Sequence, residues 1–84
     1  MGTRTAGRAV EALSRADWLI KRSLSVSGHR TSIALEAEFW LALEALAVRE
    51  GVTLPALIAR IDADREQRPL ASALRVHALK EIAK

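Results

Sequence analysis

The chain has 84 residues, of which 50% are hydrophobic, and its 13 basic and 10 acidic side chains give a net charge of +3. A domain of this size buries only about 60–70% of its unfolded surface, so association with a second copy would add stability. The chain has no cysteine, which excludes disulfides and cysteine-based zinc sites, and no run of about 18 apolar residues indicates a membrane span. We therefore expect a cytoplasmic protein.

The first twenty residues predict a moderately amphipathic helix from Thr5 to Ile20. Its apolar stripe consists of Ala9, Leu13, Ala16 and Ile20, and arginines lie outside the stripe. We interpret residues 1–20 as an N-terminal helical extension of a main domain at residues 21–84. Trp18 either packs this helix on the body or covers a dimer seam.

The segment SLSVSGHRTSIAL, residues 23–35, alternates between polar and apolar side chains on both sides of Gly28. This period predicts either one strand broken at Gly28 or a small hairpin that turns there, and both alternatives remain open. From residue 30 onward, one face of the strand carries Thr31, Ile33 and Leu35. The opposite face carries Arg30, Ser32 and Ala34.

Three helices are predicted after the strand. The first covers Ala37–Glu50, ends at Gly51, and has an apolar face of Phe39, Leu43, Leu46 and Ala47, with Trp40 beside it. The second begins after Thr53, which can cap its free amides, and its apolar positions are Leu54, Leu57, Ile58 and Ile61. The third runs from about Leu70 to Ile82 with a stripe of Leu74, Ala78 and Ile82. We expect Phe39 and Trp40 to be core residues rather than platforms for nucleic-acid bases.

A single strand would leave backbone groups unpaired at its edges and an apolar face uncovered. Pairing with the same strand of a second copy would solve both problems. The predicted fold is therefore mostly α with one short β-strand, completed as an intertwined homodimer around an antiparallel intermolecular ribbon. The expected dimer core consists of Ile33, Leu35, Phe39, Trp40 and Leu43. A two-stranded ribbon also fits the major groove of DNA.

The stretch TSIALEAEFWLALEALAVREGVTLPALIARID resembles the ribbon-helix-helix domain, the fold of the Arc and MetJ repressors. More narrowly, GHRTSIALEAEFW together with LASALRVHAL is similar to a bacterial subfamily whose pattern ends in Ser-Ser-Ala-x-Arg-Val. The resemblance covers residues 21–79. Two positions depart from it: Ala34 can offer a base only a methyl contact, and Ala71 replaces the more usual serine.

This resemblance implies a homodimeric transcriptional regulator, a repressor, that inserts its ribbon in the major groove of double-stranded DNA. Carried over by position, it implies base contacts from Arg30, Ser32 and Ala34. It also implies that the amides of Thr53 and Leu54 hold a phosphate. Lys21 and Arg22, just before the strand, are expected to contact phosphates as well.

The charge distribution is consistent with DNA binding but has a second explanation. Residues 1–30 carry six basic side chains against two carboxylates, whereas residues 31–68 carry four against seven. A polyanion-binding edge and a solvated N-terminal face explain this asymmetry equally well. We expect no enzyme activity, cofactor or metal site, because no catalytic or phosphate-loop spacing occurs and His29 and His77 lie far apart. The alternative function is a dimeric protein-interaction module, antitoxin-like or an adaptor, that uses its terminal helices.

Overall fold

The computed structural model describes residues 18–84 and contains one hairpin followed by three helices. The elements in chain order are β1 (Leu19–Val26), β2 (His29–Glu36), α1 (Ala37–Glu50), α2 (Leu54–Asp64) and α3 (Leu70–Ala83). Most of the predicted N-terminal helix lies outside the described residues. The prediction that this helix continues to Ile20 is wrong, because Leu19 and Ile20 belong to β1. None of the three helices in residues 18–84 is long and apolar enough to cross a membrane.

The hairpin is antiparallel, and its two-residue turn is formed by Ser27 and Gly28. The register pairs Leu19 with Glu36 at one end and Val26 with His29 at the other. Ser27 has φ 54° and Gly28 has φ 81°. A pair of residues with positive φ is typical of the type I′ turn, whose twist matches that of the flanking strands. Of the two alternatives for residues 23–35, the structure therefore contains the hairpin.

The expectation of a single strand paired across a dimer is corrected by this hairpin. Within the described residues the sheet has two strands, and both come from the same chain. The physical reason lies in the segment LIKRSLSV, which has the same period of two as β2 and so supplies a polar face and a half-buried face of its own. One edge of β2 is thus satisfied by β1 without a second copy.

The core lies between the inner face of the hairpin and the three helices. The strand residues Ile33 and Leu35 are buried there, together with Trp40 and Leu43 of α1. α2 and α3 complete this core with their own buried residues, which are Leu57, Ile58, Ile61, Ala73, Leu74 and Ala78. The residues expected at a dimer seam are therefore already covered within one chain, except that Phe39 is half-buried against this core.

The predicted helix ends are confirmed by their hydrogen bonds. Gly51 adopts a left-handed conformation with φ 71° and donates its N–H to the end of α1, which is the usual way for a helix to close. The Thr53 hydroxyl accepts a hydrogen bond from the Ala56 N–H at 3.2 Å and caps α2. α3 buries Leu74 and Ala78 as predicted, but Ile82 is 67% exposed because α3 continues past the body that it packs on.

Candidate nucleic-acid interface

The face of the hairpin that points away from the helices is polar and basic. Because residues paired across a hairpin point to the same side, the register places eight side chains on this side of the ribbon. The last rung consists of Leu19 and Glu36 at the open end, where the Glu36 carboxylate is paired with Arg75 of α3. The other six form what is called the outer face here: Lys21, Ser23, Ser25, Arg30, Ser32 and Ala34. Two of these six are cationic, and all are exposed except Ala34, which is half-buried. The outer face can therefore donate hydrogen bonds to an anionic partner, and the carboxylate beside it is already paired within the chain.

The outer face has a definite arrangement along the ribbon. Lys21 pairs with Ala34 near the open end, and Arg30 pairs with Ser25 near the turn. These two rungs are four residues apart, which is about 13 Å along a strand. Between them the hydroxyls of Ser23 and Ser32 lie 3.2 Å apart across the strands. The hydroxyl pair thus occupies the middle of the outer face, with one cation on either side.

Arg22 lies on the opposite, inner side of the hairpin from Lys21. Its Nη1 lies 2.7 Å from Oε2 of Glu44 on α1, and its guanidinium stacks over the Trp40 ring at 4.6 Å from the centroid. An ion pair and a cation–π contact on the same guanidinium hold it against α1. The structure therefore gives Arg22 partners inside the chain, and we do not count it among the groups presented to DNA.

Trp40 anchors the hairpin to α1. Its side chain is 1% exposed, and its Nε1–H donates a hydrogen bond of 2.7 Å to the carbonyl of Ile20 in β1. A buried indole requires such a partner, because an unsatisfied N–H in the interior costs about 1–3 kcal/mol. The contact fixes β1 on α1, and the outer face then points away from the helices. Trp40 is thus a core residue, as predicted.

Arg75 of α3 links the last helix to the end of the ribbon. Its Nε donates a hydrogen bond of 2.9 Å to Oε1 of Glu36, the last residue of β2, and its guanidinium lies 5.9 Å from the centre of the Phe39 ring. The hydrogen bond from Arg75 holds the pKa of Glu36 below its ordinary value. Arg75, which lies in the segment ASALRV, is therefore a structural ion-pair partner.

The start of α2 offers fewer free amides than an ordinary helix. Pro55 has no N–H, and the Ala56 N–H is bonded to the Thr53 hydroxyl. The N–H groups of Thr53 and Leu54 are the ones that the predicted phosphate contact would use. Leu54 is half-buried, whereas Thr53 is exposed.

The structure places the three predicted base-contact residues on one surface, together with two serines that the prediction did not include. Arg30, Ser32 and Ala34 share the outer face with Lys21, while Thr53 and Leu54 belong to a separate element. The prediction missed Ser23 and Ser25, which lie opposite Ser32 and Arg30. Their alternation with Leu24 and Val26 is visible in the sequence, but they share a face with Arg30 and Ser32 only because the segment folds as a hairpin.

A family model for the ribbon-helix-helix domain matches residues 19–82, which include all the elements of the structure except the last residue of α3. The chain belongs to the ribbon-helix-helix domain family. The matched range contains the strand β2 followed by the helices α1 and α2, with β1 before them and most of α3 after them. Members of the family are generally DNA-binding transcription regulators or antitoxins.

A solved structure supports the same fold. The chain is similar to an uncharacterized protein from Bordetella pertussis Tohama I, with a TM-score of 0.69 and 33% sequence identity. The alignment covers 83% of this chain and 60% of that protein, so the chain spans less than two thirds of its relative's length. The search of curated proteins found no match.

Proposed function

We propose that this ribbon-helix-helix protein binds double-stranded DNA as a homodimer and represses transcription. The observation that carries the proposal is the outer face of the hairpin, which is largely exposed and basic, and whose neighbouring carboxylate, Glu36, is paired with Arg75. In the proposed homodimer the β2 strands of the two copies would lie side by side about 4.8 Å apart, and a ribbon of two such strands fits a major groove about 12 Å wide. Family membership adds that related domains generally bind DNA.

The side chains of the outer face would make different contacts with the bases. Arg30 can donate two hydrogen bonds to O6 and N7 of guanine, and Ser32 can donate to or accept from a base edge. Ala34 can contact the methyl group of thymine. Ser23 and Ser25, on the neighbouring strand, add two hydroxyls to the same surface. These polar contacts specify sequence, whereas phosphate contacts fix the register of the protein on the duplex.

The proposed phosphate contacts come from two places. Lys21 lies at the open end of the outer face and can neutralise a backbone phosphate. The amides of Thr53 and Leu54 at the start of α2 form the second contact, because the positive end of a helix dipole favours an anion. Arg22 takes no part, since Glu44 already neutralises it.

The homodimer is proposed on the family resemblance and on the free edge of β2. In the described residues β2 pairs with β1 alone, so its other edge can still pair with the same strand of a second copy. That pairing would place Arg30, Ser32 and Ala34 of both copies next to each other. Ile33, Leu35, Phe39, Trp40 and Leu43 would then support the interface from within each chain rather than form it directly.

The test of this proposal is a titration of purified protein against the DNA upstream of its own gene and against a scrambled duplex of equal length. We expect tighter binding to the upstream DNA at about 150 mM salt and a sedimentation mass of two chains at micromolar concentration. Equal affinity for both duplexes would contradict a regulatory role. If the protein binds DNA as a folded monomer, the proposed homodimer is wrong, and the hairpin of a single chain is the element that contacts the bases.

A protein-interaction module is the second candidate function, favoured by the end of α3. Leu79 is 64% exposed and Ile82 is 67% exposed, one turn apart on the same helix. Two large apolar side chains at this spacing suit a hydrophobic partner. If Leu79→Ser together with Ile82→Ser left folding, mass and DNA binding unchanged while abolishing repression, the function would require a protein partner at this surface.

A further inference from the structure

A polar cleft lies between the end of α2, the loop after it, and α3. Its volume is about 550 Å³, which is within the range of small-molecule sites. Four basic side chains line it, together with one imidazole: Arg60, Arg65, Arg68, Lys80 and His77. Two carboxylates, Asp64 and Glu66, also lie at the cleft, so basic side chains outnumber acidic ones.

Two of the arginines are held in place by ion pairs that leave donors unused. Arg60 pairs with Glu50 through Nη2. Arg65 donates through Nε to Asp62 at 2.5 Å and through Nη1 to the carbonyl of Arg68 at 2.8 Å. A guanidinium has five N–H donors, so each of these arginines keeps at least two for a further acceptor.

The other two cations have no ion-pair partner among residues 18–84. Arg68 and Lys80 are both exposed, and neither forms a salt bridge there. On α3 the nearby Glu81 is engaged by Arg49 and Lys84 and does not neutralise Lys80. The two cations reach the cleft from different elements, Arg68 from the loop after α2 and Lys80 from α3, and an anion bound there can interact with both.

His77 supplies an independent reason to expect a ligand. Its Nε2 is buried and has no hydrogen-bond partner in the described part of the chain. Buried polar atoms are normally satisfied, and an exception calls for an explanation such as a missing partner. His77 also lines the cleft, so an oxyanion bound there would lie beside this side chain.

We propose that this cleft binds the phosphate group of a small molecule. Arginine forks match the geometry of phosphate oxygens, and lysine contributes a point charge. The volume exceeds that of inorganic phosphate alone, so the ligand is a phosphate ester with room for its organic part. The site is built from α2, α3 and their connecting loop, none of which belongs to the outer face. The inference is therefore independent of the proposed DNA reading.

The test is an NMR titration of the full chain with inorganic phosphate, in the absence of DNA, against sodium chloride at equal ionic strength. We expect saturable shifts confined to Arg68, His77 and Lys80 and their neighbours with phosphate only. Arg68→Gln should raise the dissociation constant for phosphate about tenfold, because it removes a charged hydrogen-bond donor. Lys84→Gln removes a charge that lies just after α3 and outside the cleft, so this variant should keep the same dissociation constant for phosphate.

The same experiment separates a small-molecule ligand from a DNA backbone phosphate. For a small-molecule site, Arg68→Gln and Lys84→Gln should change DNA affinity by the same small factor. The proposal is overturned if phosphate and chloride produce equal shifts, or if Arg68→Gln binds phosphate like the natural chain. It is also overturned if phosphate does not bind while Arg68→Gln selectively weakens DNA binding. His77→Phe provides a second variant, which should retain the fold and lose phosphate affinity.

Discussion

Truncation of Ile33 tests whether the hairpin packs on the helices through the face that the structure assigns. Ile33 is 3% exposed and belongs to the core cluster with Leu35 and Trp40. Ile33→Ala removes buried methyl and methylene groups and leaves a cavity, which costs about 2–5 kcal/mol in a well-packed core. A chain of this length has a total stability of only about 4–13 kcal/mol. The substitution should therefore remove a large part of that stability.

The matched control is the adjacent Ser32, which lies on the outer face. Ser32→Ala loses only an exposed hydroxyl contact with Ser23, and exposed substitutions usually change stability by less than about 0.5 kcal/mol. Thermal melts followed by circular dichroism should show a decrease of about 8–40 °C for Ile33→Ala, at about 4–8 °C per kcal/mol. Ser32→Ala should melt within a few degrees of the natural chain. If the two variants melted alike, the assigned faces of the hairpin would be wrong.

Three further predictions concern the contacts that hold the hairpin. Trp40→Phe should lower the free energy of unfolding, measured in urea, by about 2–3 kcal/mol, because it leaves the Ile20 carbonyl without its donor and opens a space in the core. A change below about 0.5 kcal/mol would argue against the hydrogen bond between Trp40 and Ile20. Arg75→Met should raise the pKa of Glu36 toward 4.5. A lowered carboxyl pKa stabilises the fold fully above the unfolded pKa, and this stabilisation is lost as the pH falls through the folded pKa. The stability deficit of the variant, up to about 1 kcal/mol, should therefore shrink below about pH 4.5 and disappear once Glu36 is protonated in the natural chain, and a constant deficit would refute the ion pair. Gly28→Ala should cost about 1–2 kcal/mol through backbone strain alone, because φ is +81° and a Cβ would meet no atom within 4 Å; an unchanged melt would exclude the type I′ turn.

The helical part of the fold was predictable because its signals are local. The period of the apolar residues, Gly51 as a helix end and Thr53 as a cap each depend on a few neighbouring residues. The packing of α3 on the body followed from Leu74 and Ala78. The exposure of its last turn could not be predicted, because Ile82 has the same helical spacing as Leu74 and Ala78. Only the extent of the rest of the fold determines which of these positions are covered.

The ribbon was harder to predict because strand pairing is a non-local property. Residues 23–35 showed the correct period, and the choice between one strand and a hairpin depended on what Leu19–Val26 would do. The pattern of that segment is short, and Ile20 continued a helical stripe equally well. Arg22 illustrates the consequence for the site: only the register reveals that it points inward to Glu44. The cleft beside α3 was not visible at all, because its residues, all within residues 60–80, come together only when α3 packs against α2.

The measurement that tests the central claim most directly is a DNA-binding titration of single outer-face variants, using a duplex selected from a randomised library. Arg30→Ala should lose about 1–3 kcal/mol of discrimination between the selected and scrambled duplexes. Lys21→Ala should weaken binding to both equally and reduce the salt slope by about 1. Lys84→Ala, on the far end of α3, serves as the control for lost charge. If Arg30→Ala kept both affinity and discrimination while Lys21→Ala had no more effect than Lys84→Ala, the outer face of the hairpin would not be the surface that reads DNA.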